Sequence, residues 1–412
     1  MQKIFAAQVE VGMYLSCDIY NDKGVLLWGA GSQVSTEKQA NKLIKDGYRS
    51  DLQQWIDADV KPKSTEPLEV LEDVVEIKKV FIYPTVLDAL TEIQLPINHI
   101  FDVFKADAFH KEKRNLTAQI TAVVDVILDV CEHHPEESFA TIVMNLHGRY
   151  AIMHAIAQSV IAGLICEILD LPKEQKRSTV SAALTSNGSI VKLVDTLCKQ
   201  KTAMSEEQTA IFENHPFDTL TLLTRAGIRD EEWLDTVLMH HEYLDGSGFP
   251  RGIGTDEITV MARVLAVADI YVTMILPKKI MQVAMDPPSA LKRLYKKYSK
   301  RLDVGIVADV VKRFGIIPPG TFVKLKDGKI GVVVCASDDR EKPIVMKVGD
   351  DPTKFYPEFS AAGKFRVTAI THPPNNLPKR IFKLWKIYAD EKIKKVNIQV
   401  NPAIKSKLKP KV

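Results

Sequence analysis

A pair of adjacent histidines, His240 and His241, is the feature of this sequence that points most directly to chemistry. The pair stands in the stretch MHHEYLDGSGFP, which covers residues 239–250. Imidazole is a common ligand of transition metals. Successive residues of an α-helix point about 100° apart. Two helical neighbours would therefore bind different ions or opposite sides of one cluster, as in hydrolases that hold two ions about 3.5–4 Å apart. The alternative is a pair of histidines at a helix end that contacts only solvent.

Three further residues are candidate metal ligands. His154 and His215 each lie in a stretch of helical periodicity, where a single histidine is ordinarily a core or surface residue. Asp269 follows the apolar run 264–268. A buried carboxylate costs several kcal/mol unless it is paired or bound to a metal. Asp269 is therefore the strongest indication, from residue types alone, of a metal site.

The spacing of apolar residues divides the chain into three regions. Residues 84–315 show helical spacing and predict an all-α bundle. Before it, the sequence predicts a small β-rich domain with a hairpin at residues 21–24 and a helix over 35–47. After it, alternating residues and the Asp327-Gly328 turn predict a small β-domain. The expected fold is therefore mainly α, with a small β-containing domain on each side.

The composition is typical of a globular protein in a reducing compartment. Hydrophobic residues make up 46% of the chain and charged residues 26%, and we expect no apolar run of the length needed to span a bilayer. The five cysteines are scattered, which argues against a disulfide framework and a cysteine-based zinc site. The N-terminus lacks a secretory pattern. We therefore expect a cytoplasmic protein without a transmembrane segment.

Residues 379–412 are strongly basic. They carry a net charge of +9, which leaves about −6 for the rest of a chain whose total is +3. We interpret this segment as a solvated, partly disordered tail. The alternative is an arm that contacts an anionic partner such as nucleic acid or a membrane surface.

Two stretches together resemble the HD-GYP domain, a subclass of the HD phosphohydrolases. They are HHEYLDGSGFP and the later ARVLAVADIY, and the likeness extends over about residues 150–315. The resemblance implies an HD-type helical bundle with a centre of two or three metal ions, usually iron or manganese. It also implies hydrolysis of the bacterial messenger cyclic di-GMP. The segments on both sides resemble domains that often accompany HD-GYP domains.

The residues of this chain match the family's functional positions unevenly. Ser186 and Asn187 stand in place of the His-Asp doublet, whose aspartate bridges two ions, and Ile190 stands in place of a lysine. Tyr150 occupies the position of a glutamate in three-metal members, and the arginine-rich segment that grips ligand phosphates is reduced to the lysines at 278–279. The ligand positions that are kept are His154, His215, His240, His241 and Asp269.

These replacements imply a degenerate site that holds one ion rather than two. A neutral amide is a poor bridge between cations, and one ion would keep only His154 and Asp269. The other would keep three histidines, an arrangement known from catalytic zinc sites. By resemblance we expect iron or manganese before zinc, with a metal-free protein as the alternative.

We therefore interpret the chain as a catalytically impaired HD-GYP protein of cyclic di-GMP signalling, which acts as a sensor or an interaction module. Two alternatives stay open: an active metal-dependent cyclic di-GMP phosphodiesterase with an altered centre, and a scaffold that dimerises and keeps its histidines as relics. Expected partners are cyclic di-GMP or a related nucleotide, GGDEF-type or other signalling proteins, and a second copy of the chain. The residues expected to dock a ligand or partner are Asp245, Gly246, Ser247, Gly248, Phe249, Pro250 and Lys278.

We expect five segments along the chain. They are an α/β domain at 1–55, a linker and helical segment at 56–135, the degenerate HD-GYP domain at 136–316, a β-domain at 317–375 and the basic tail at 376–412.

Overall fold

The structure is a computed structural model of the chain of 412 residues. It describes residues 83–348, apart from 84, 107–108, 145–147, 277–283 and 338–342, and shorter pieces on both sides, such as 19–21, 26–28, 359–360 and 367–371. By its internal contacts the chain forms two compact units, Met1–Lys78 and Lys79–Val412. The finer division expected from the sequence stays a prediction.

The described residues of the first unit form a small antiparallel sheet. Strands β2 and β3 pair with each other, as the hairpin predicted at residues 21–24 requires. The predicted helix over 35–47 and the linker that begins at residue 56 fall largely outside the described residues. The strands pair in the order β1-β4-β2-β3 and are β1 Gln2–Lys3, β2 Ile19–Tyr20, β3 Leu26–Trp28 and β4 Tyr48–Arg49.

The second unit begins with the predicted helical bundle. Its described helices are α1 Val86–Glu92, α2 Gln94–Ala106, α3 Phe109–His133, α4 Pro135–Val143, α5 Tyr150–Ile168, α6 Lys173–Thr185, α7 Val191–Leu197, α8 Glu206–Ala226, α9 Glu231–Met239, α10 Val260–Ile275, α11 Pro287–Lys297 and α12 Val304–Phe314. A short 3-10 helix, Gly188–Ile190, joins α6 to α7. Local sequence explains several ends: α8 begins at a capping box of Ser205 and Gln208 and ends at Gly227, whose φ of 99° favours glycine.

Helix α5 is the centre of the bundle. It packs against α3, α6 and α10, and its residues from Ala151 to Cys166 are buried. By length and composition this helix could cross a membrane, so the expectation that no apolar segment is long enough is wrong. A helix that is apolar on all sides is either a core helix or a membrane span, and the burial of α5 is that of a core helix.

A small antiparallel sheet follows the bundle, as predicted. The hairpin between β5 and β6 turns at Asp327 and Gly328, and Gly328 has the positive φ of 82° that such turns require. The strands pair in the order β8-β7-β6-β5-β9 and are β5 Phe322–Leu325, β6 Ile330–Cys335, β7 Ile344–Lys347, β8 Phe359–Ser360 and β9 Val367–Ile370.

The sheet packs against helix α4 and against the start of the basic tail. Gly320 approaches α4 so closely that a Cβ atom there would lie 2.8 Å from the Cα of Ala140. The indole N–H of Trp385 donates to the carbonyl of Val334 at 2.8 Å, and both Trp385 and Ile381 are buried. The expectation of a solvated tail is therefore wrong for Ile381 and Trp385, because these apolar side chains pack on the sheet.

Candidate metal centre

Three buried histidines come together at one point of the bundle. His215 lies on α8, and His240 and His241 follow the end of α9. Each offers a ring nitrogen, and these nitrogens lie within 4.8 Å of one another. The Nε2 atoms of His215 and His240 are 3.2 Å apart. These residues, called the three-histidine site below, could hold one metal ion.

Backbone carbonyls fix the tautomer of two of these rings. The Nδ1–H of His215 donates to the carbonyl of Phe212 at 2.5 Å. That carbonyl has no helical partner, because residue 216, one turn further on, is a proline without an N–H. The Nδ1–H of His240 donates to the carbonyl of Val237 at 2.6 Å, which lies in the last turn of α9, where carbonyls lack intrahelical partners. Both Nε2 atoms are therefore left with a free lone pair.

Two lone pairs that face each other at 3.2 Å repel unless a cation lies between them. Two nitrogens bound at about 2.0–2.1 Å to a tetrahedral ion are about 3.3–3.4 Å apart, close to the separation of His215 and His240. Orientation of the ligating nitrogen through a hydrogen bond from the other ring nitrogen is a regular feature of histidine metal sites. The donor set therefore fits a divalent transition metal.

Burial keeps these imidazoles neutral. It lowers the pKa of His215 to about 4. Burial, with repulsion from His215, lowers the pKa of His240 to about 3. Burial and the neighbouring histidines hold the pKa of His241 well below its ordinary value. Because a metal binds the neutral form of histidine, no proton has to be displaced near pH 7.

The position at which helix α9 ends determines where the side chains of His240 and His241 point. Apolar spacing typical of a helix continues through residues 231–244, and within a helix the rings of the two histidines would diverge. The helix instead ends at Met239, His240 is its C-cap, and His241 lies beyond it. The two ring centroids are 4.1 Å apart, and that of His241 is 5.0 Å from that of His215. Both histidines therefore lie in one group with His215, as the resemblance to the family implies.

His154 and Asp269 form a second group, called the open pair below. His154 lies on α5 and Asp269 on α10, and His154 Nε2 is 3.6 Å from Asp269 Oδ1. The hydroxyl of Thr273 is 3.1 Å from the same Nε2 atom. These side chains offer two strong donors and one weak donor for a cation.

A cavity of about 370 Å³ connects the two groups. Its polar lining consists of the open pair with Thr273, together with Asn187 and His241. No lysine or arginine is among its described lining residues, and Lys278, predicted to contact a ligand, lies outside the described residues. The remaining wall is largely apolar and is formed by Phe101, Tyr150, Ala151, Val191, Val194, Leu197, Cys198, Met204 and Phe212.

Ser186 and Asn187, which the resemblance places at the family's His-Asp doublet, directly follow the end of α6. Ser186 is fully buried, and its Oγ accepts a hydrogen bond from the side-chain amide of Gln158 at 3.0 Å. Asn187 lines the cavity and Ser186 does not, while Ile190 is buried at the end of the 3-10 helix. A neutral amide is therefore the group that this segment presents to the cavity.

The glycine-rich turn, residues 245–250, is only partly a surface feature. Asp245 and Ser247 are exposed, but Gly248, Phe249 and Pro250 are half-buried. The ring of Phe249 lies 4.6 Å, centroid to centroid, from the ring of His241. The half of the turn that follows Ser247 therefore supports the three-histidine site.

Three contributors to the site were not predicted from the sequence. Thr273 stands one helical turn after Asp269, and this spacing on one helix face was the available indication. Glu242, directly after the histidine pair, is buried and contacts the turn. The carbonyl of Phe212 is available because of Pro216, which a search for ligand side chains does not find.

Residues 139–306 match the HD domain family. This segment of the chain is therefore similar to HD domains. This match covers the helices that carry all five retained ligand positions, from His154 on α5 to Asp269 on α10. The part of the bundle that carries the buried histidines therefore lies within the matched residues.

The chain is related to cyclic di-GMP phosphodiesterases of the HD-GYP type. It is 26% identical over 220 residues to a cyclic di-GMP phosphodiesterase of Pseudomonas aeruginosa, a match that covers 53% of this chain and 52% of the relative. It is 22% identical over 189 residues to a cyclic di-GMP phosphodiesterase of Borreliella burgdorferi, a match that covers 46% of this chain and 49% of the relative. It is 29% identical over 146 residues to a cyclic di-GMP phosphodiesterase response regulator of Xanthomonas campestris, which covers 35% and 38%. The chain spans about half the length of the first two of these relatives.

Proposed function

We propose that this protein is a catalytically impaired HD-GYP-type protein of cyclic di-GMP signalling, which binds one metal ion and acts as a cytoplasmic ligand sensor. The observation that carries the proposal is the contrast between its two groups of ligands. The three-histidine site has three converging donors. The other group is an open pair beside the neutral Asn187.

A single ion is the expected occupant because only one group has enough donors. Three neutral imidazoles with an open position form a recognised arrangement for a catalytic or binding ion. We propose iron or manganese before zinc. A bound ion would supply Lewis acidity toward a phosphodiester oxygen. A two-ion clamp also needs a charged bridge, and Asn187 cannot provide one.

Sensing is better supported than partner docking. The cavity volume of about 370 Å³ lies within the usual range of small-molecule sites, and part of the glycine-rich turn is used internally against His241. We propose cyclic di-GMP or a related nucleotide as the ligand. Docking of GGDEF-type or other signalling proteins, or of a second copy, would use the exposed Asp245 and Ser247.

The second candidate is an active cyclic di-GMP phosphodiesterase with an altered centre. It is favoured by the five retained ligand positions, three of which converge on one point. In that case His154 and Asp269 would contribute to positioning the phosphodiester or the attacking water.

The test combines metal analysis, binding and hydrolysis on the full chain. The protein is purified without oxygen, supplied with iron(II) or manganese(II), and mixed with stoichiometric cyclic di-GMP. The proposal expects about one ion per chain, measurable binding and no product at one turnover. Linear dinucleotide or GMP that disappears in His240→Ala would establish the second candidate. His133→Ala is the matched control, since its side chain is 50% exposed at the end of α3.

A further inference from the structure

We infer that Glu242 is a positioning residue, whose buried carboxylate fastens the segment 245–253 to the end of α9 and so holds His241 in the three-histidine site. This inference rests on the metal-binding part of the proposed function. Its test is chosen so that the two can fail separately.

The carboxylate of Glu242 is inside the protein and is bound by backbone amides. The residue is 2% exposed. Its Oε1 accepts from the N–H of Arg251 at 2.7 Å, and its Oε2 accepts from the N–H of Ile253 at 3.2 Å. The nearby guanidinium of Arg251 lies 4.0 Å from Glu257. Because a buried charge is costly unless it is well hydrogen-bonded, both oxygens are committed to holding this segment.

The segment so fastened reaches back to His241. The N–H of Phe249 donates to the carbonyl of His241 at 3.1 Å. Gly248 fits so closely that a Cβ atom there would lie 2.5 Å from both the His241 oxygen and the Glu242 Cα. The Phe249 ring then lies against the imidazole at an interplanar angle of 33°.

These contacts link the carboxylate to the metal ligand within a few residues. Glu242 holds the backbone of residues 251 and 253. The residues that lead back from there to Gly248 hold Phe249 in place. The ring of Phe249 then packs against the ring of His241. The other two histidines are oriented instead by carbonyls of their own helices. We therefore expect the metal affinity of the site to depend on Glu242 even though this residue is not a ligand.

The variant Glu242→Gln tests this with almost no change in volume. It keeps one acceptor oxygen but places an NH₂ group against the other amide. Loss of such an outer contact ordinarily weakens a metal site by about 10–100-fold. We expect a loss of this size in a cobalt(II) titration, with altered visible absorption bands, since cobalt bands report the number and geometry of ligands.

The matched control is Glu257→Gln in the same segment. It removes the same charge, but its side chain is 64% exposed and, among the described residues, makes an ion pair at 4.0 Å with Arg251. We expect its cobalt affinity to equal that of the unaltered protein. Equal affinity and equal spectra for Glu242→Gln would overturn the inference.

If Glu242→Gln fails to fold, Glu242→Asp replaces it. Because its shorter carboxylate reaches one amide, we expect a smaller loss of cobalt affinity. Unchanged affinity would again contradict the proposal.

A metal-free measurement separates this inference from the proposed function. In protein treated with chelator, hydrogen exchange of the amides of Phe249, Arg251 and Ile253 should be faster in Glu242→Gln than in Glu257→Gln. Failure of the unaltered protein to bind any ion would refute the metal proposal, while the exchange rates would still test the fastening. Unchanged exchange would refute the role of Glu242.

Discussion

The three-histidine site and the open pair differ in what holds them when no ion is bound. In the first, the buried rings of His215 and His240 donate to backbone carbonyls, and the ring of His241 packs against that of His240. In the second, His154 and the carboxylate of Asp269 line a cavity beside a neutral amide. The Nδ1 atoms of His215 and His240 are fixed by backbone carbonyls, whereas the carboxylate of Asp269 is buried and costly unless it is hydrogen-bonded or bound to a cation. The two groups therefore differ in how far backbone contacts orient their ligand atoms.

The largest expected effect comes from removing a histidine of the buried group. His240→Ala should lower cobalt(II) affinity by about 100-fold or more, because two imidazoles cannot replace three. His154→Ala, in the open pair, should lower that affinity less, because His154 is not among the three converging histidines. Equilibrium dialysis of both variants checks the contrast, and equal losses would show that the two groups act as one centre.

A steric change should disturb the buried group without altering a ligand side chain. Gly248→Ala places a Cβ atom 2.5 Å from the carbonyl oxygen of His241. We expect a loss of stability of about 1–3 kcal/mol, together with weaker metal binding. Gly254→Ala is the control, since a Cβ atom there meets nothing within 4 Å. Urea unfolding of both variants gives the answer, and similar midpoints would contradict the close packing at Gly248.

A carboxylate at position 187 should make the open pair bind an ion and so reduce its difference from the three-histidine site. Asn187→Asp supplies a carboxylate where the cavity now has an amide. We expect a second, weaker manganese(II) ion to bind beside the open pair, as in two-ion centres, while the first ion is unaffected. Electron paramagnetic resonance of manganese titrations measures the stoichiometry. An unchanged single ion would mean that charge alone does not limit the open pair.

The smallest expected effect is on the pH dependence of stability in metal-free protein. The folded-state pKa of His215 is lowered to about 4 from 6.5, so the unfolded chain takes up a proton first as the pH falls. The contribution of this residue to the free energy of unfolding is fully present above pH 6.5 and is lost as the pH falls from 6.5 to about 4. Thermal unfolding at pH 7.5 and pH 5 should show a smaller drop for His215→Gln than for the unaltered protein, and equal drops would contradict a buried neutral ring.

Sequence reasoning identified the bundle, the C-terminal hairpin and the three-histidine site from periodicity and from the resemblance to a known family. It misplaced the end of α9, because apolar spacing continues through Leu244. That side chain packs in a separate cluster with Met239, Ile258 and Ala262. It also missed Thr273 and Glu242. The spacing of Thr273 from Asp269 was an available indication, whereas Glu242 acts through tertiary contacts that residue type and spacing do not show.

Helix α4 packs against both the bundle and the following sheet. Its Phe139 and Ile142 belong to the core of the bundle, whereas Ala140 belongs to the core beneath the sheet. A chain shortened at residue 316, the expected domain boundary, would expose Ala140 and the strip of helix that Gly320 covers. The two parts should therefore be inherited together, and an exchange of the sheet between relatives would succeed only if α4 were exchanged with it.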